Sequence, residues 1–448
     1  MVKKNAVTFV CSNCGAVHSS WMGKCSACGE WNTLVEQLSA TQLAGAGGRQ
    51  LEATSSTQIM KQKMAARIPS GSAPMDEVLG GGFVPGSVSL LAGQPGIGKS
   101  TLLLQVAYAA SKVVSVLYIS GEESVQQVGL RASRLGAASI TLELASSNSA
   151  DDIAATIVAG GHELVVVDSI QTISASAVSS AAGSVSQITN SAHLLMQAAK
   201  HSNTALLLVG HVTKEGSIAG PKVLEHVVDV VLQLEGDRYG GFKVLRSIKN
   251  RFGSTNESAI YEMLESGLQP VENPSAALLA ERQVSDGSVV LATLEGVRPL
   301  LVEVQALVNT TSYGYPKRAA SGIDLNRVNL LIAMLERRTK LNLADKDVYI
   351  NIVGGLKITE PAADLAVCMA IASASKGMQL KKDAVVYGEV GLSGEVRRVP
   401  FAEKRLSEAK KLGFVGAIGP ALTNSSADKF LLPVRDIRSA LNQFLEKD

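Results

Sequence analysis

The segment GQPGIGKS, residues 93–100, has the residue types and spacing of a phosphate-binding loop, since it matches G-x-x-x-x-G-K-[ST] at every fixed position. Glycines let the backbone curl so that N–H groups face phosphate oxygens, and a following helix adds its positive end. Lys99 would reach the β- and γ-phosphates, and the Ser100 hydroxyl would ligate Mg²⁺. A glycine-rich turn that precedes a helix by chance is the alternative. We predict an ATP and Mg²⁺ site formed by Gly93, Gln94, Pro95, Gly96, Ile97, Gly98, Lys99, Ser100 and Thr101.

Acidic residues follow two other apolar runs and suit a hydrolytic site. The run LVVVD ends at Asp168, which would hold Mg²⁺ beside Ser100 as a Walker B acid does. The run YIS is followed by Glu122 and Glu123, either of which would polarise the attacking water. We predict Glu122 because it comes first after the strand. The alternatives are an ordinary strand that ends in Asp and two exposed acids at a helix start.

A third apolar run, LLLVGH, ends at His211, which we predict to sense the γ-phosphate; a structural histidine is the alternative.

Two loops have compositions that do not suit a hydrophobic core. Residues 173–189 consist mostly of Ser, Ala, Val and Gly, and residues 213–222 include Lys214 and Lys222. We expect both loops to line a channel and to touch a nucleic-acid backbone.

Four of the five cysteines lie close together in the sequence: Cys11, Cys14, Cys25 and Cys28. They form two C-x-x-C pairs, each followed by a glycine that permits a tight turn. Four thiolates at these spacings predict a tetrahedral Zn²⁺ site, with a redox pair or two disulfides as alternatives. Trp21 and Trp31 flank the second pair and are expected to pack over the site, with base stacking as the alternative.

The composition of the chain favours several globular domains. It has 448 residues, of which 46% are hydrophobic, and a formal charge of +2 that neither requires nor excludes nucleic acid. The first residues lack the apolar segment of a signal peptide, and the apolar runs are too short to span a bilayer. We therefore expect a cytoplasmic protein without a membrane partner.

The order of motifs predicts three domains. The cysteine module occupies residues 1–35, and a flexible linker rich in Ala, Gly, Ser, Thr and Gln follows at 36–60. Strands predicted at 87–92, 116–120, 164–168, 205–210 and 227–234 alternate with helical segments over residues 61–272, which indicates an α/β domain with a parallel sheet. Pro270 and Pro274 mark a boundary before a mixed α+β domain at 275–448.

Longer segments resemble known families. GGGFVPGSVSLLAGQPGIGKSTLLLQ, with YISGEES and LVVVDSIQT, resembles the ATPase core of the RecA/DnaB/KaiC type. KNRFG at residues 249–253, combined with the four cysteines, resembles the RadA (Sms) family of bacterial DNA repair proteins over essentially the whole chain. The resemblance implies that Lys249 and Arg251 act across a subunit interface and stabilise charge on a neighbour's γ-phosphate. A basic strand end at the surface is the alternative.

The C-terminal region resembles the proteolytic domain of Lon proteases, through VYINIVGGLKITEPAADLAV and YGEVGLSGEVRRVPFAEKRLSEAKKLGF. Such proteases use a serine that is activated by a lysine. The serine position holds Ala362, and the lysine position falls at Glu403, next to Lys404. Because alanine has no nucleophilic atom, we expect a proteolytically inactive Lon-like domain that serves assembly and possesses a basic surface able to contact DNA.

The resemblance implies a DNA-stimulated ATPase that forms a hexameric homo-oligomeric ring and threads single-stranded DNA. It also implies action on branched DNA, with RecA recombinase as a partner, in branch migration and repair. The implied ATP-sensing residues are Lys99, Glu122, Asp168 and His211 in one subunit and Lys249 and Arg251 in its neighbour. A clock-type or signalling ATPase that binds protein partners is the alternative, and stimulation by single-stranded DNA would distinguish the two. An ATP-dependent protease is a third hypothesis, which Ala362 opposes.

Overall fold

The computed structural model describes residues 8–37, 53–57, 66–211, 224–236, 241–312, 314–380, 383–422 and 429–446. The chain divides into two compact units, Met1–Met64 and Ala65–Asp448. None of the helices in these described ranges combines the length and the apolar character that a membrane span requires.

The first unit contains a small antiparallel sheet of three short strands. β1 (Thr8–Cys11) lies between β2 (Val17–His18) and β3 (Leu34–Gln37), with Cys11 paired to Leu34. Cys11, Cys25 and Leu34 are its buried apolar residues. A cluster this small supplies little stability by burial.

The second unit is built on a nine-stranded sheet of which six strands are parallel. The spatial order β6-β5-β7-β8-β4-β9 is made by β4 (Val88–Gly93), β5 (Val116–Ser120), β6 (Leu142–Ser146), β7 (Leu164–Asp168), β8 (Ala205–His211) and β9 (Val230–Gly236). Except at the exposed edge strand β6, these strands are apolar on both sides because helices cover both faces. One face carries α1 (Ala73–Leu79), α2 (Lys99–Ala110) and α3 (Val125–Arg134), and the other carries α4 (Ala150–Ala159) and α5 (Val185–Ser202).

Three antiparallel strands extend this sheet beyond β9. They are β10 (Phe242–Asn250), β11 (Ser258–Leu264) and β12 (Gly267–Pro270). The sequence did not predict them, nor the edge strand β6, and the strand predicted from residue 227 begins at Val230. The extension also packs against the C-terminal region, because Phe242, Val244 and Ile260 lie in the same apolar cluster as Leu291.

A second sheet, of seven mixed strands, organises the C-terminal region. Its order is β15-β16-β14-β13-β18-β21-β22, made by β13 (Ser288–Glu295), β14 (Arg298–Thr310), β15 (Arg318–Ser321), β16 (Lys346–Ile352), β18 (Ala384–Val386), β21 (Gly416–Gly419) and β22 (Leu431–Pro433). Its helices are α6 (Pro274–Leu279), α7 (Leu325–Thr339), α8 (Asp364–Lys376), α9 (Ala402–Lys411) and α10 (Ile437–Phe444). Two further ladders pair β17 (Gln379–Leu380) with β23 (Leu445–Glu446), and β19 (Glu389–Val390) with β20 (Val396–Arg397).

Candidate nucleotide site and metal site

The predicted phosphate-binding loop connects β4 to α2. Gly93 ends the strand, Gly98 has φ +111°, and Lys99 begins the helix. Gly93 must be a glycine because a Cβ there would lie 2.7 Å from the carbonyl oxygen of Leu234. The carboxyl ends of β4, β5, β7 and β8 lie at the same edge of the sheet, since these strands are parallel neighbours. Polar residues at that edge therefore surround the loop.

Lys99 is held inside the loop that it is predicted to serve. Its side chain is 4% exposed, and Nζ donates hydrogen bonds to the carbonyl oxygens of Gly93 (2.9 Å) and Gln94 (3.0 Å). Burial lowers the pKa of Lys99 to about 8, while attraction from Asp168 and Glu122 acts in the opposite direction. The ammonium is thus poised to exchange two backbone carbonyls for phosphate oxygens.

Asp168 lies at the end of β7, opposite Ser120 of β5. Its Oδ2 accepts a hydrogen bond of 2.7 Å from the hydroxyl of Tyr118, which is buried in the middle of β5. The Asp168–Ser169 peptide bond is cis. A carboxylate and the Ser100 hydroxyl are hard oxygen donors, so the residues present fit Mg²⁺. Sequence reasoning did not single out Tyr118, although a phenol within an apolar strand is a signal that it has a polar partner.

The two adjacent glutamates contact different partners. The Ser169 hydroxyl donates to Glu122 Oε1 at 2.7 Å. Glu123 accepts from Arg131 Nη2 of α3 at 2.5 and 2.6 Å to its two oxygens, which forms an ion pair. Glu123 is therefore committed to fixing α3 against the sheet. This arrangement favours Glu122 as the residue that faces the nucleotide.

His211 ends β8 and pairs with Gly93, so its backbone lies beside the phosphate-binding loop. Its side chain, and the loop 213–222 with Lys214 and Lys222, lie outside the described residues.

The expectation that residues 173–189 form a loop that lines a channel is partly wrong, because Ile173 and Ile188 are fully buried in the core.

The buried side chain of Gln187 fixes the loop that precedes α5. Its Oε1 accepts from the Ala175 N–H, and its Nε2 donates to the carbonyl oxygens of Ala175, Val178 and Ser180. The remaining exposed part of the loop, around residues 176–183, is still available for a channel lining.

Lys249 and Arg251 lie at the end of the sheet opposite the phosphate-binding loop. Lys249 pairs with Val231 near the start of β9, whereas Gly93 pairs with Leu234 near its end. The Nζ of Lys249 donates to the carbonyl oxygens of Glu225 (2.6 Å) and Val228 (2.8 Å). β10 ends at Asn250 after a bulge, so Arg251 follows the strand rather than belonging to it.

Arg251 is the more exposed of these two cations. Its side chain is 56% exposed, and its Nε lies 3.8 Å from Asp229 Oδ1. The turn that carries it is fixed by a close backbone approach, because a Cβ on Gly253 would lie 2.9 Å from the Cα of Gly80. Arg67 Nη2 also donates to the Phe252 carbonyl oxygen at 2.9 Å. The KNRFG segment is thus a rigid corner that presents Arg251 to solvent.

In the C-terminal region, Ala362 is buried, and Arg405 contacts Glu360, two residues before it. The guanidinium of Arg405 is 0% exposed and pairs with Glu360 through two hydrogen bonds of 2.8 and 2.7 Å. The expectation that Glu403 or Lys404 occupies this position is therefore corrected: the Nζ of Lys404 donates to the Val297 carbonyl oxygen instead. An ion pair and an alanine replace a nucleophile and its base, which leaves no dyad for peptide hydrolysis here.

The four N-terminal cysteines converge, with all four sulfurs within 4.8 Å of one another. The Sγ atoms are 3.7 Å apart in the pairs Cys11–Cys28 and Cys14–Cys25. Zn–S bonds of about 2.3 Å in a tetrahedron place sulfurs about 3.8 Å apart, whereas a disulfide requires about 2.05 Å. The residues present therefore fit a tetrahedral metal ion.

The surroundings of the cysteines also suit thiolate ligands. Gly15 and Gly29 have φ +75° and +77°, as the turn after each pair requires, and His18 Nε2 lies 3.5 Å from Cys25 Sγ. Trp21 and Trp31 are 59% and 67% exposed, so the expectation that they pack over the site does not hold.

Family models match three parts of the chain. Residues 9–36 match a model described as a rubredoxin metal binding domain, residues 54–217 one described as an AAA domain, and residues 310–422 one described as subunit ChlI of Mg-chelatase. A crystal structure of the RadB recombinase covers 46% of this chain and 100% of its own, with 22% identity and a TM-score of 0.38, which is too low to bear on function.

Curated relatives are similar over almost their whole length. The DNA repair protein RadA of Brucella abortus (strain 2308) is 47% identical, covering 92% of this chain and 91% of that protein. The protein of the same name from Bacillus subtilis (strain 168) is 48% identical with 93% of each covered, and that of Escherichia coli (strain K12) is 45% identical with 94% of each covered. The predicted fold class and family resemblance are confirmed. The chain belongs to the RadA family of DNA repair proteins, as an ATP-hydrolysing enzyme with a RecA-like core, a four-cysteine metal module and a Lon-like C-terminal region.

Proposed function

We propose that this protein is a DNA-stimulated ATPase that works as a hexameric ring on single-stranded and branched DNA in the cytoplasm. In this proposal the ring extends heteroduplex by branch migration, on strand-exchange intermediates made by RecA recombinase. The names of its relatives support a role in DNA repair.

Within one subunit, the loop 93–101 would hold the triphosphate, with Lys99 on the β- and γ-phosphates. Ser100 and Asp168 would hold Mg²⁺, which supplies charge neutralisation at the phosphates when bound. Glu122 would orient and polarise the attacking water, and His211 would sense the γ-phosphate. The hydrogen bond from Ser169 and the commitment of Glu123 to Arg131 support Glu122 in this role.

The position of Lys249 and Arg251 carries the proposal of a shared site. Both lie at the amino-terminal end of the parallel strands, away from their own phosphate-binding loop. A cation in that place does not reach its own γ-phosphate, but it reaches a neighbour's when subunits pack head to tail in a ring. The exposed guanidinium of Arg251 fits such a contact, and Lys249 would exchange two backbone carbonyls for phosphate.

Mixed rings test this arrangement. ATP turnover is measured with and without single-stranded DNA for the parent, for Lys99→Ala, for Arg251→Ala and for an equimolar mixture of the two variants. We expect DNA to stimulate the parent and each variant alone to be inactive. The mixture should recover activity, because an intact loop from one variant then meets an intact Arg251 from the other.

Two results would contradict the proposal. If Arg251→Ala alone turned over ATP like the parent, or if the mixture stayed inactive although both variants assembled, the site would not be shared. Turnover that single-stranded DNA leaves unchanged would instead favour a signalling ATPase that binds protein partners.

A further inference from the structure

We propose that Tyr118 is a positioning residue for the metal ligand Asp168, and that it sets how tightly the nucleotide site holds Mg²⁺. The inference rests on the proposed role of Asp168 as a Mg²⁺ ligand. It concerns a side chain that acts through its hydrogen bond to Asp168.

The pleat of the sheet places the two residues on the same face. Leu164 and Val166 of β7 and Val116 and Tyr118 of β5 all belong to the apolar cluster beneath α2 and α3. Because alternate residues of a strand share a face, Asp168 continues this side of β7. Tyr118 lies opposite Val166, and its phenol extends along the sheet to the carboxylate at the strand end.

The contact fixes one carboxylate oxygen and thereby orients the other. Tyr118 is 1% exposed and Asp168 is buried, so the 2.7 Å hydrogen bond is shielded from water. Such a bond to a charged acceptor is stronger than one between neutral groups. Because Tyr118 holds Oδ2, Oδ1 is the oxygen available to a metal ion at the sheet edge where the phosphate-binding loop lies. Partners that orient a metal ligand in this way commonly contribute 10- to 100-fold to metal affinity.

A second buried tyrosine provides a matched control. Tyr261 of β11 is also 1% exposed, and its hydroxyl makes one hydrogen bond of 2.9 Å, to Ser72 Oγ. Tyr118→Phe and Tyr261→Phe each remove a single buried hydroxyl from the same core cluster. Only Tyr118→Phe removes a hydrogen bond to the proposed metal ligand; Tyr261→Phe removes one to Ser72.

The test measures binding of a fluorescent ADP analogue to the full chain, first without added Mg²⁺ and then over a series of Mg²⁺ concentrations. For Tyr118→Phe we expect the Mg²⁺ concentration at half effect to rise about tenfold. The affinity without added Mg²⁺ should equal that of the parent, and Tyr261→Phe should match the parent in both measurements. Tyr118→Met also lacks the donor and provides a second chain if the phenylalanine variant does not fold.

The outcomes separate this inference from the proposed function. Asp168→Asn, which weakens the ligand itself, should raise the Mg²⁺ requirement at least as much. If Asp168→Asn changes the Mg²⁺ requirement and Tyr118→Phe does not, the role of Tyr118 is overturned while the site assignment stands. If neither changes it, Asp168 is not a Mg²⁺ ligand and both ideas fail. Equal loss of affinity with and without Mg²⁺ in Tyr118→Phe would also overturn the role, since it would reflect general damage.

Discussion

The hydroxyl of Ser169 donates a hydrogen bond to the carboxylate of Glu122, with 2.7 Å between Oγ and Oε1. Ser169 directly follows Asp168, so the contact ties the two acidic strand ends together at the nucleotide edge of the sheet. The neighbouring Glu123 is bound by Arg131 instead. Adjacent residues of one type therefore have different partners.

Glu122→Gln should abolish ATP hydrolysis and leave nucleotide binding intact. The amide has nearly the same shape, but it cannot accept a proton from the attacking water, and loss of such a base commonly costs about 10²- to 10⁴-fold in rate. Single-turnover hydrolysis and equilibrium ATP binding measure the two effects separately. Hydrolysis at the parent rate would show that another group activates the water.

Glu123→Gln should have the complementary effect. It weakens the ion pair with Arg131, which fixes α3, so we expect a lower unfolding midpoint and a turnover within a few-fold of the parent at low temperature. Thermal unfolding and ATP turnover of the same preparation check this. A stable Glu123→Gln protein without hydrolysis would reverse the assignment of the two glutamates.

The affinity for ATP should decrease as the pH rises above about 8. Burial places the pKa of Lys99 at about 8, so the free protein carries a neutral amine at higher pH and must take up a proton to bind phosphate. Linkage then predicts a loss of up to about tenfold per pH unit. ATP titrations between pH 7 and 10 measure it. In Lys99→Arg the side chain stays charged over this pH range, so the affinity of this variant for ATP should not decrease with pH. If the decrease persisted in Lys99→Arg, another group would be responsible for it.

Removal of the bound metal should unfold the N-terminal module and leave the ATPase core folded. The buried cluster of residues 8–37 contains only a few side chains, so metal binding supplies most of the stability of that unit. Metal content and limited proteolysis are measured for Cys14→Ser and for Cys368→Ala, whose cysteine lies alone in α8. Cys14→Ser should lose zinc and become cleavable near its N-terminus, whereas Cys368→Ala should retain the metal. Full zinc occupancy in Cys14→Ser would contradict a four-thiolate site.

Arg405→Ala should destabilise the C-terminal region by about 3–5 kcal/mol, because it removes a fully buried cation and leaves the partly buried carboxylate of Glu360 unpaired. Burial raises the pKa of Glu360, but the hydrogen bonds and charge of Arg405 outweigh burial and hold this pKa below its usual value. The pair therefore stabilises the fold at neutral pH, and this contribution is lost as the pH falls through the pKa of Glu360.

Denaturant unfolding at several pH values measures the effect of Arg405→Ala. Lys404→Ala, next to it but exposed, should change the free energy of unfolding by about 0–1 kcal/mol. Similar values for the two variants would show that the buried pair does not stabilise the fold.

Short stretches of the sequence were enough to predict the parts of the sites that depend on local geometry. The phosphate-binding loop, the acids Glu122 and Asp168, and the two cysteine pairs were all predicted from local patterns. Their geometry follows from turns and strand ends within a few residues, and such short-range constraints can be read directly. The edge strand β6 was missed because its partly exposed residues lack an apolar run.

Contacts between residues that are distant in the chain became known from the tertiary structure alone. Tyr118 and Asp168 are 50 residues apart in the chain, and Arg405 and Glu360 are 45 apart. Pairing of β5 with β7 brings the first pair together, and the packing of α9 brings Arg405 to Glu360, which precedes α8. No local periodicity encodes either contact. The same applies to Lys249, whose place at the far end of the sheet follows from the antiparallel pairing of β10 with β9. The sequence thus supplied the chemical groups, and long-range strand pairing and helix packing set which of them meet.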